Sequence, residues 1–302
     1  MPRPAAGVAL RLAALAGAAG LAYARWEAES YRLRRVDVPV LPPGAEPLRV
    51  LHLSDVHLLP RHRRRRRWLR SLAALEPDLV VDTGDNISAA DAIGPLLEAL
   101  DPLLHRPGVL VLGSNDYFAP RLRNPAAYLA GPSAVVGPRR RLPTEELVAG
   151  LTRHGWVDVD NARTSLTARG HRIDVVGVDD PHLGRDRYLD VGAPADAAAT
   201  VTIGVAHAPY RRVLDAMTTD GVDLVLAGHT HGGQLAVPGH GALVTNCDLP
   251  ARYASGLHQW TYRRRRSWLH VSAGVGTSPF TPVRFACPPE ATLLTLTPSA
   301  LG

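Results

Sequence analysis

The chain has no lysine at all, and only two cysteines, two methionines and three phenylalanines in 302 residues. Each scarcity closes off a class of protein. Cys247 and Cys287 have no CxxC partner. A cysteine zinc site and a disulfide framework are therefore excluded, the redox compartment stays undecided, and both residues read as small buried apolar groups. There is no HExxH, which sets aside metal-dependent amide hydrolysis of that type. No internal repeat is present, and no helix-turn-helix or aromatic-interleaved basic pattern, so nucleic acid is not the expected partner.

What is there begins with arginine. The net charge of +6 rests on it, much of it clustered at 61–70, 139–141 and 263–266. Such clusters suit phosphates or anionic lipid headgroups, although a solvated arginine-rich face explains them equally well. Hydrophobic residues at 46% and charged residues at 21% are ordinary for a globular chain of one large core or two modest ones.

The amino-terminal run "AAGVALRLAALAGAAGLAYA" (Ala5 to Ala24) is almost wholly apolar, rich in alanine and glycine, and interrupted by Arg11. It approaches the ~20 residues that a membrane-spanning helix needs. The expectation is a hydrophobic anchor helix with a juxtamembrane segment over 1–35, a proline-rich linker over 36–47 and one catalytic domain over 48–302. "AYA" at Ala22 to Ala24 also fits a signal-peptidase site, which leaves export with cleavage open. "RWEAESYRLRR" after the run carries more arginine than "MPRP" before it, which favours a cell-membrane protein with its catalytic domain on the cytoplasmic side.

Short runs rich in valine and leucine then recur, beginning at Leu48, Asp78, Gly108, Arg172, Val201, Val222 and Ser267. Runs apolar on both faces read as buried strands. Helix-compatible stretches lie between several of them, at 68–75, 92–104, 144–153 and 210–218, so an α/β layered fold is expected. Six of the seven runs finish in polar residues: Asp55 and His57; Asp85 and Asn86; Asn115 and Asp116; Asp179 and Asp180; His207; His229 and His231. Any one alone is an ordinary cap or turn. Metal-capable groups ending strand after strand make a site, because α/β sheets bind ligands beyond the carboxyl ends of their strands. Carboxylates and imidazoles without thiolate favour Mn, Fe or Zn over calcium, and seven donors suit two divalent ions better than one tetrahedral zinc. In "SDVH" and "GHTH" the metal-capable residues are two apart, which on an emerging strand puts them on one face.

The ordered set "DVH", "GDN", "GSND", "AH" and "GHTHGGQ" resembles the calcineurin-like metallophosphoesterase superfamily over about Leu48 to Leu296, most of all its membrane-anchored bacterial branch. The resemblance implies a two-sheet β-sandwich flanked by helices, a four-layer αββα arrangement, around a dinuclear metal centre. By motif, Asp55, His57 and His231 would bind the first metal, Asp85 would bridge, and Asn115, His207 and His229 would complete the second. A bridging water, acidified to hydroxide, would attack a phosphoester or phosphoanhydride in line. Asp55, Asp85, Asn115, Asp116 and His229 form the expected catalytic set, Asp116 by orienting a ligand, with a turn-forming aspartate as the even alternative. The implied substrate is phosphorylated and could be lipid-linked, on the pattern of a UDP-diacylglucosamine-like diphosphate. The rival reading is a non-catalytic metal-binding scaffold that recruits partners at the membrane.

One motif departs from the family, which reads Gly-Asn-His-Asp or Glu where this chain has "GSND". A gapless match makes Ser114 the ligand, and a one-residue slip makes it Asn115, the better donor to a hard cation. Either way the histidine that assists the leaving group is lost, so activated leaving groups should be preferred. His182 could supply that donor, though a turn histidine is more often structural. For Arg185 and Arg284, surface salt-bridging is favoured over a phosphate clamp. His52 reads as a core histidine, Asn246, Cys247 and Asp248 as turn chemistry, and 274–280 as a turn or a pocket floor.

Overall fold

The computed structural model describes residues 4–122 and 137–299; Met1 to Arg3, whose charge entered the orientation argument, lie outside them. Two six-stranded mixed sheets stack face to face. In the first, the order is β1 (Arg32–Leu41), β14 (Glu290–Pro298), β2 (Leu48–Leu53), β3 (Leu79–Asp82), β4 (Gly108–Leu110) and β5 (Val157–Asp158). The second runs β12 (Gly256–Tyr262), β13 (Arg265–Val271), β9 (Leu224–Ala227), β8 (Val201–Ala206), β7 (His171–Val178) and β6 (Ala162–Ala168). A two-stranded hairpin, β10 (Ala236–Val237) and β11 (Gly241–Ala242), stands apart.

The alternation of side chains along each strand explains why the runs are apolar on both faces. Val50, Leu79, Val81, Val109 and Val111 meet Ile173, Val175, Ile203, Val205, Leu224 and Leu226 between the sheets. Leu51, Leu53, Val80 and Leu110 point the other way and pack with Leu69 of α2 (Arg63–Ser71), Leu96 and Leu100 of α3 (Ile93–Leu104) and Leu147 of α5 (Thr144–Thr152). On the outer face of the second sheet, Val176, Val225 and Leu269 pack with Val213, Leu214 and Met217 of α7 (Arg211–Asp220), which Gly221 terminates at a φ of 86°. Helix, sheet, sheet, helix is the expected layering. Two short helices, α4 (Ser114–Tyr117) and α6 (Tyr188–Val191), follow β4 and β7.

The amino-terminal reading needs two corrections. Residues 36–47 are not all linker: 32–41 form β1, which pairs in parallel with β14 and inserts only Val38 and Leu41 fully into the inter-sheet core. An edge strand with three arginines has too little apolar alternation to be recognised before its partner is known. The run from Ala5 does lie in a helix, α1 (Pro4–Glu27), but no helix among the described residues is long and apolar enough to cross a membrane. Alanine and glycine bury little apolar surface per residue, and Arg11 adds a charge within the helix.

Candidate metal centre

The loops that follow β2, β3, β4, β8 and β9 converge at one end of the sandwich. Asp55, His57, Asp85, His229 and His231 all adopt positive φ, between 44° and 69°. Non-glycine residues rarely do this, and the cost is held by the surrounding structure. It also corrects the local geometry. β2 stops at Leu53 and β9 at Ala227, so "SDVH" and "GHTH" present their side chains from left-handed loops, not from alternating strand positions. Glycine is needed alongside: a Cβ on Gly113 would strike Asp85 and His207, and one on Gly228 would strike Ser54 and Asp55.

Two groups of donors result, each with its atoms within 4.8 Å of one another: Asp55, His57 and His231, and Asp55, Asp85 and His207. His57 Nε2 lies 3.2 Å from His231 Nε2 and 3.4 Å from Asp85 Oδ2. His231 Nε2 is 3.5 Å from Asp55 Oδ1, and His207 Nε2 is 3.6 Å from Asp85 Oδ2. Donors at about 2.1 Å from a shared ion sit roughly 3–3.5 Å apart, so these spacings fit metal ligands. Asp55 Oδ1 and His207 Nε2 are also buried and find no hydrogen-bond partner among the described residues. Buried polar atoms are normally paired, so both lone pairs fit a cation.

The remaining hydrogen bonds fix these groups in place. His207 Nδ1 donates to Thr83 O at 2.7 Å, which puts the lone pair on Nε2. Asp55 Oδ2 accepts from Ser54 Oγ at 2.5 Å and from the His229 amide at 2.9 Å. Asn115 donates to Asp85 through its backbone N–H at 2.7 Å and its Nδ2 at 2.6 Å. Burial works against charge on Asp55 and Asp85, yet the facing histidines hold both carboxyls below the usual range. Burial likewise opposes a proton on His207, but Asp85, Asp180 and Asp55 push it up to about 9. Without a cation Nε2 of His207 thus holds a proton, which a metal would displace to use that lone pair.

His229 belongs to neither group. Its Nε2 is 3.1 Å from Asn246 O, and its ring lies 5.2 Å from that of His207. Asp116 sits behind the site and accepts the backbone N–H groups of Asp85, Asn86, Ile87 and Gly113 at 2.7 to 3.3 Å. Burial, then the charge of Asp85, raises its pKa to about 8. Ser114 and Asn115 both line the cleft over the centre, together with His57, Asp85, His182, His229, His231, Asn246, Ser278 and Phe280. Residues 274–280 therefore do contribute to the pocket. Asn246 is more than turn chemistry; Asp248 accepts the N–H of Arg211 at 2.9 Å, and Cys247 is buried.

Two arginines turn inward. Arg284 is fully buried rather than on the surface, and it clamps backbone rather than phosphate. Its Nη2 donates to the carbonyls of Ala273 and Gly276 at 2.6 Å and lies 3.3 Å from His231 Nδ1. Arg65, inside the arginine-rich run, is buried too and donates to Val56 O at 2.8 Å and His57 O at 3.1 Å, holding the "SDVH" loop. Nothing in a run of arginines marks which one turns inward. Arg185 pairs with Asp179 at 2.7 Å, the salt bridge expected. His52 is a core histidine, bonded to His270 at 2.9 Å and Thr83 at 3.0 Å.

A two-sheet α/β sandwich with buried carboxylates and imidazoles at its loop end defines a class, and the comparisons agree with it. The family model for calcineurin-like phosphoesterases matches residues 48–233, and the chain belongs to that family of metal-dependent phosphoesterases. It is 26% identical to the uncharacterized metallophosphoesterase YkuE of Bacillus subtilis (strain 168), over 95% of this chain and 93% of that one. Phosphodiesterase YaeI of Escherichia coli (strain K12) is also 26% identical, over 94% of this chain and 95% of its own length. A 5'-nucleotidase precursor from Thermus thermophilus, a solved structure, aligns at 14% identity and a TM-score of 0.45 over 83% of this chain and 55% of its own.

Proposed function

We propose that the chain hydrolyses phosphodiesters or phosphoanhydrides at two divalent cations, of Mn, Fe or Zn type, held by the buried donors. Asp55, His57 and His231 would bind one ion, and Asp85, His207 and Asn115 the other, with His229, whose ring lies beside that of His207, completing the second. When bound, such ions share the charge of the phosphoryl oxygens and acidify a water to a pKa of roughly 7. The protein's own part is to fix the donors through Arg65, Asp116 and Arg284 and to present a cleft in which a phosphate oxygen meets Asn115 and the imidazoles. The observation that carries this reading is the pair of orphaned buried atoms, Asp55 Oδ1 and His207 Nε2, in two donor groups that share Asp55. A purely structural metal scaffold would have no need of an open cleft over the donors. The test is to strip the protein with a chelator, reload it with each metal and follow bis-(p-nitrophenyl) phosphate. Two equivalents of metal and metal-stimulated turnover are expected; full loading without turnover favours the scaffold.

The substrate is proposed to be lipid-linked, with α1 resting on a bilayer surface. Leu12, Leu15, Leu21 and Trp26 of α1 are exposed beside Arg11 and Arg25, a combination that suits an anionic interface. Its end is tied to the segment below the metal centre: Tyr23 packs edge-on against Phe285 at 5.3 Å, and the Arg284 amide donates to Ala24 O at 2.9 Å. Flotation with phosphatidylglycerol vesicles should capture the full chain and lose the variant Leu12→Asp/Leu15→Asp. Equal recovery of the two excludes this placement.

A further inference from the structure

Of the four imidazoles lining the cleft, His57 and His231 share a donor group and His229 lies against His207 and Asn246. His182 stands differently. It follows β7, whose loop meets α4 where Tyr117 OH donates to Asp179 Oδ1 at 2.9 Å, in a single turn that Asp180 closes by accepting the His182 N–H at 2.8 Å. Tyr210 OH lies 3.1 Å from its Nδ1, and its ring sits 4.5 Å from the ring of His229. Tyr210 and His229 therefore hold the ring, and Asp180 its backbone, outside the close donor groups. With the Tyr210 hydroxyl as donor to Nδ1, the ring carries its hydrogen on Nε2 and borders the cleft.

We propose that His182 is a further catalytic residue, a hydrogen-bond donor to the oxygen of the leaving group; this rests on the phosphoesterase reading above. As water oxygen bonds to phosphorus and the ester P–O bond breaks, the electron pair stays on the departing oxygen. His182 Nε2–H stabilises that developing charge. The attacking water gives a proton to solvent and the departing oxygen takes one from solvent, so His182 ends the cycle unchanged. Its contribution grows with the basicity of the leaving group. The preference for activated esters expected from the altered third motif should accordingly belong to the His182 variants rather than to the wild type.

The experiment measures metal-loaded wild type, His182→Ala, His182→Gln and Tyr210→Phe on methyl p-nitrophenyl phosphate and methyl phenyl phosphate, with metal content and thermal unfolding determined for each. For His182→Ala we expect kcat on the phenyl ester to fall by about 10²-fold, with the loss on the nitrophenyl ester at least about tenfold smaller. His182→Gln, which keeps an N–H donor, should recover part of the difference, and Tyr210→Phe should show a weaker version of the same bias. Equal loss on the two esters, or a loss that tracks missing metal, overturns the proposal. Inactivity of fully loaded wild type on both esters overturns the underlying phosphoesterase reading instead.

Discussion

Among the described residues, aspartate and histidine gather closely in two regions, and burial separates them. At the sandwich end, Asp55, His57, Asp85, His207 and His231 bring their donors within 4.8 Å in two overlapping groups. On the helical flank, Asp101, His105 and His154 satisfy the same distance. There the resemblance stops. Asp101 and His105 are one helical turn apart on exposed surface, 3.9 Å from each other, and His105 touches His154 ring to ring at 4.4 Å. Water solvates those groups, and Arg70 already pairs with Asp101 at 4.0 Å. In the sandwich the donors have lost their water, four of the five stand on loops at positive φ, and Asp55 Oδ1 and His207 Nε2 have no hydrogen-bond partner among the described residues. Proximity brings donors together; desolvation and fixed backbone make a site of them.

The contrast can be tested from its strongest edge. Asp85→Asn removes charge from the point where His57, His207 and Asn115 meet. Several kcal/mol of charge stabilisation are at stake, so kcat/KM on bis-(p-nitrophenyl) phosphate should fall on the order of 10³-fold or more, with metal content below wild type. Unchanged turnover would remove Asp85 from the chemistry. Asp116→Ala should be milder, because Asp116 acts only through the backbone it holds. A loss of about 10–100-fold in metal affinity or activity is expected, checked by titrating metal back into apo protein.

A third pair of histidines sharpens the comparison, being buried outside the donor groups. Burial holds His52 down to about 3 and His270 well below the usual imidazole range. The folded state then binds fewer protons than the unfolded state, so stability is present above the unfolded pKa near 6.5 and is lost as pH falls through that value toward the folded one. The slope is about 1.4 kcal/mol per pH unit for each such group. Denaturant midpoints of apo protein between pH 7 and 5 should fall less steeply in His52→Gln/His270→Gln; parallel slopes would refute the assignment. The smallest effect belongs to the helical flank. His105→Ala/His154→Ala should leave activity and metal stoichiometry unchanged and stability within about 0.5 kcal/mol, as solvated surface groups do. A missing equivalent of metal in that variant would break the comparison.

Much of this was legible in the sequence. The seven apolar runs all became strands, and the four helix-compatible stretches all contain helix, because burial on two faces or one leaves a plain periodicity. β1 and β14 were not foreseen. They pair with each other across some 250 residues of chain, and edge or threonine-rich strands carry little signal until the partner is known. The site shows the same division. "SDVH" and "GHTHGGQ" named residues that do converge, while Arg65, Arg284 and Tyr210 looked like ordinary arginines and a tyrosine.

Sequence alone determined the donor chemistry, the order in which the donors follow successive strands and the absence of any thiolate pair, since these are matters of residue type and spacing. Tertiary structure decided which arginines turned inward, which cleft histidines stand apart from the donor groups, and that the aspartate–histidine cluster on the helical flank stays wet. Those outcomes depend on which groups lose their water when distant segments pack, and desolvation is a property of the assembled chain.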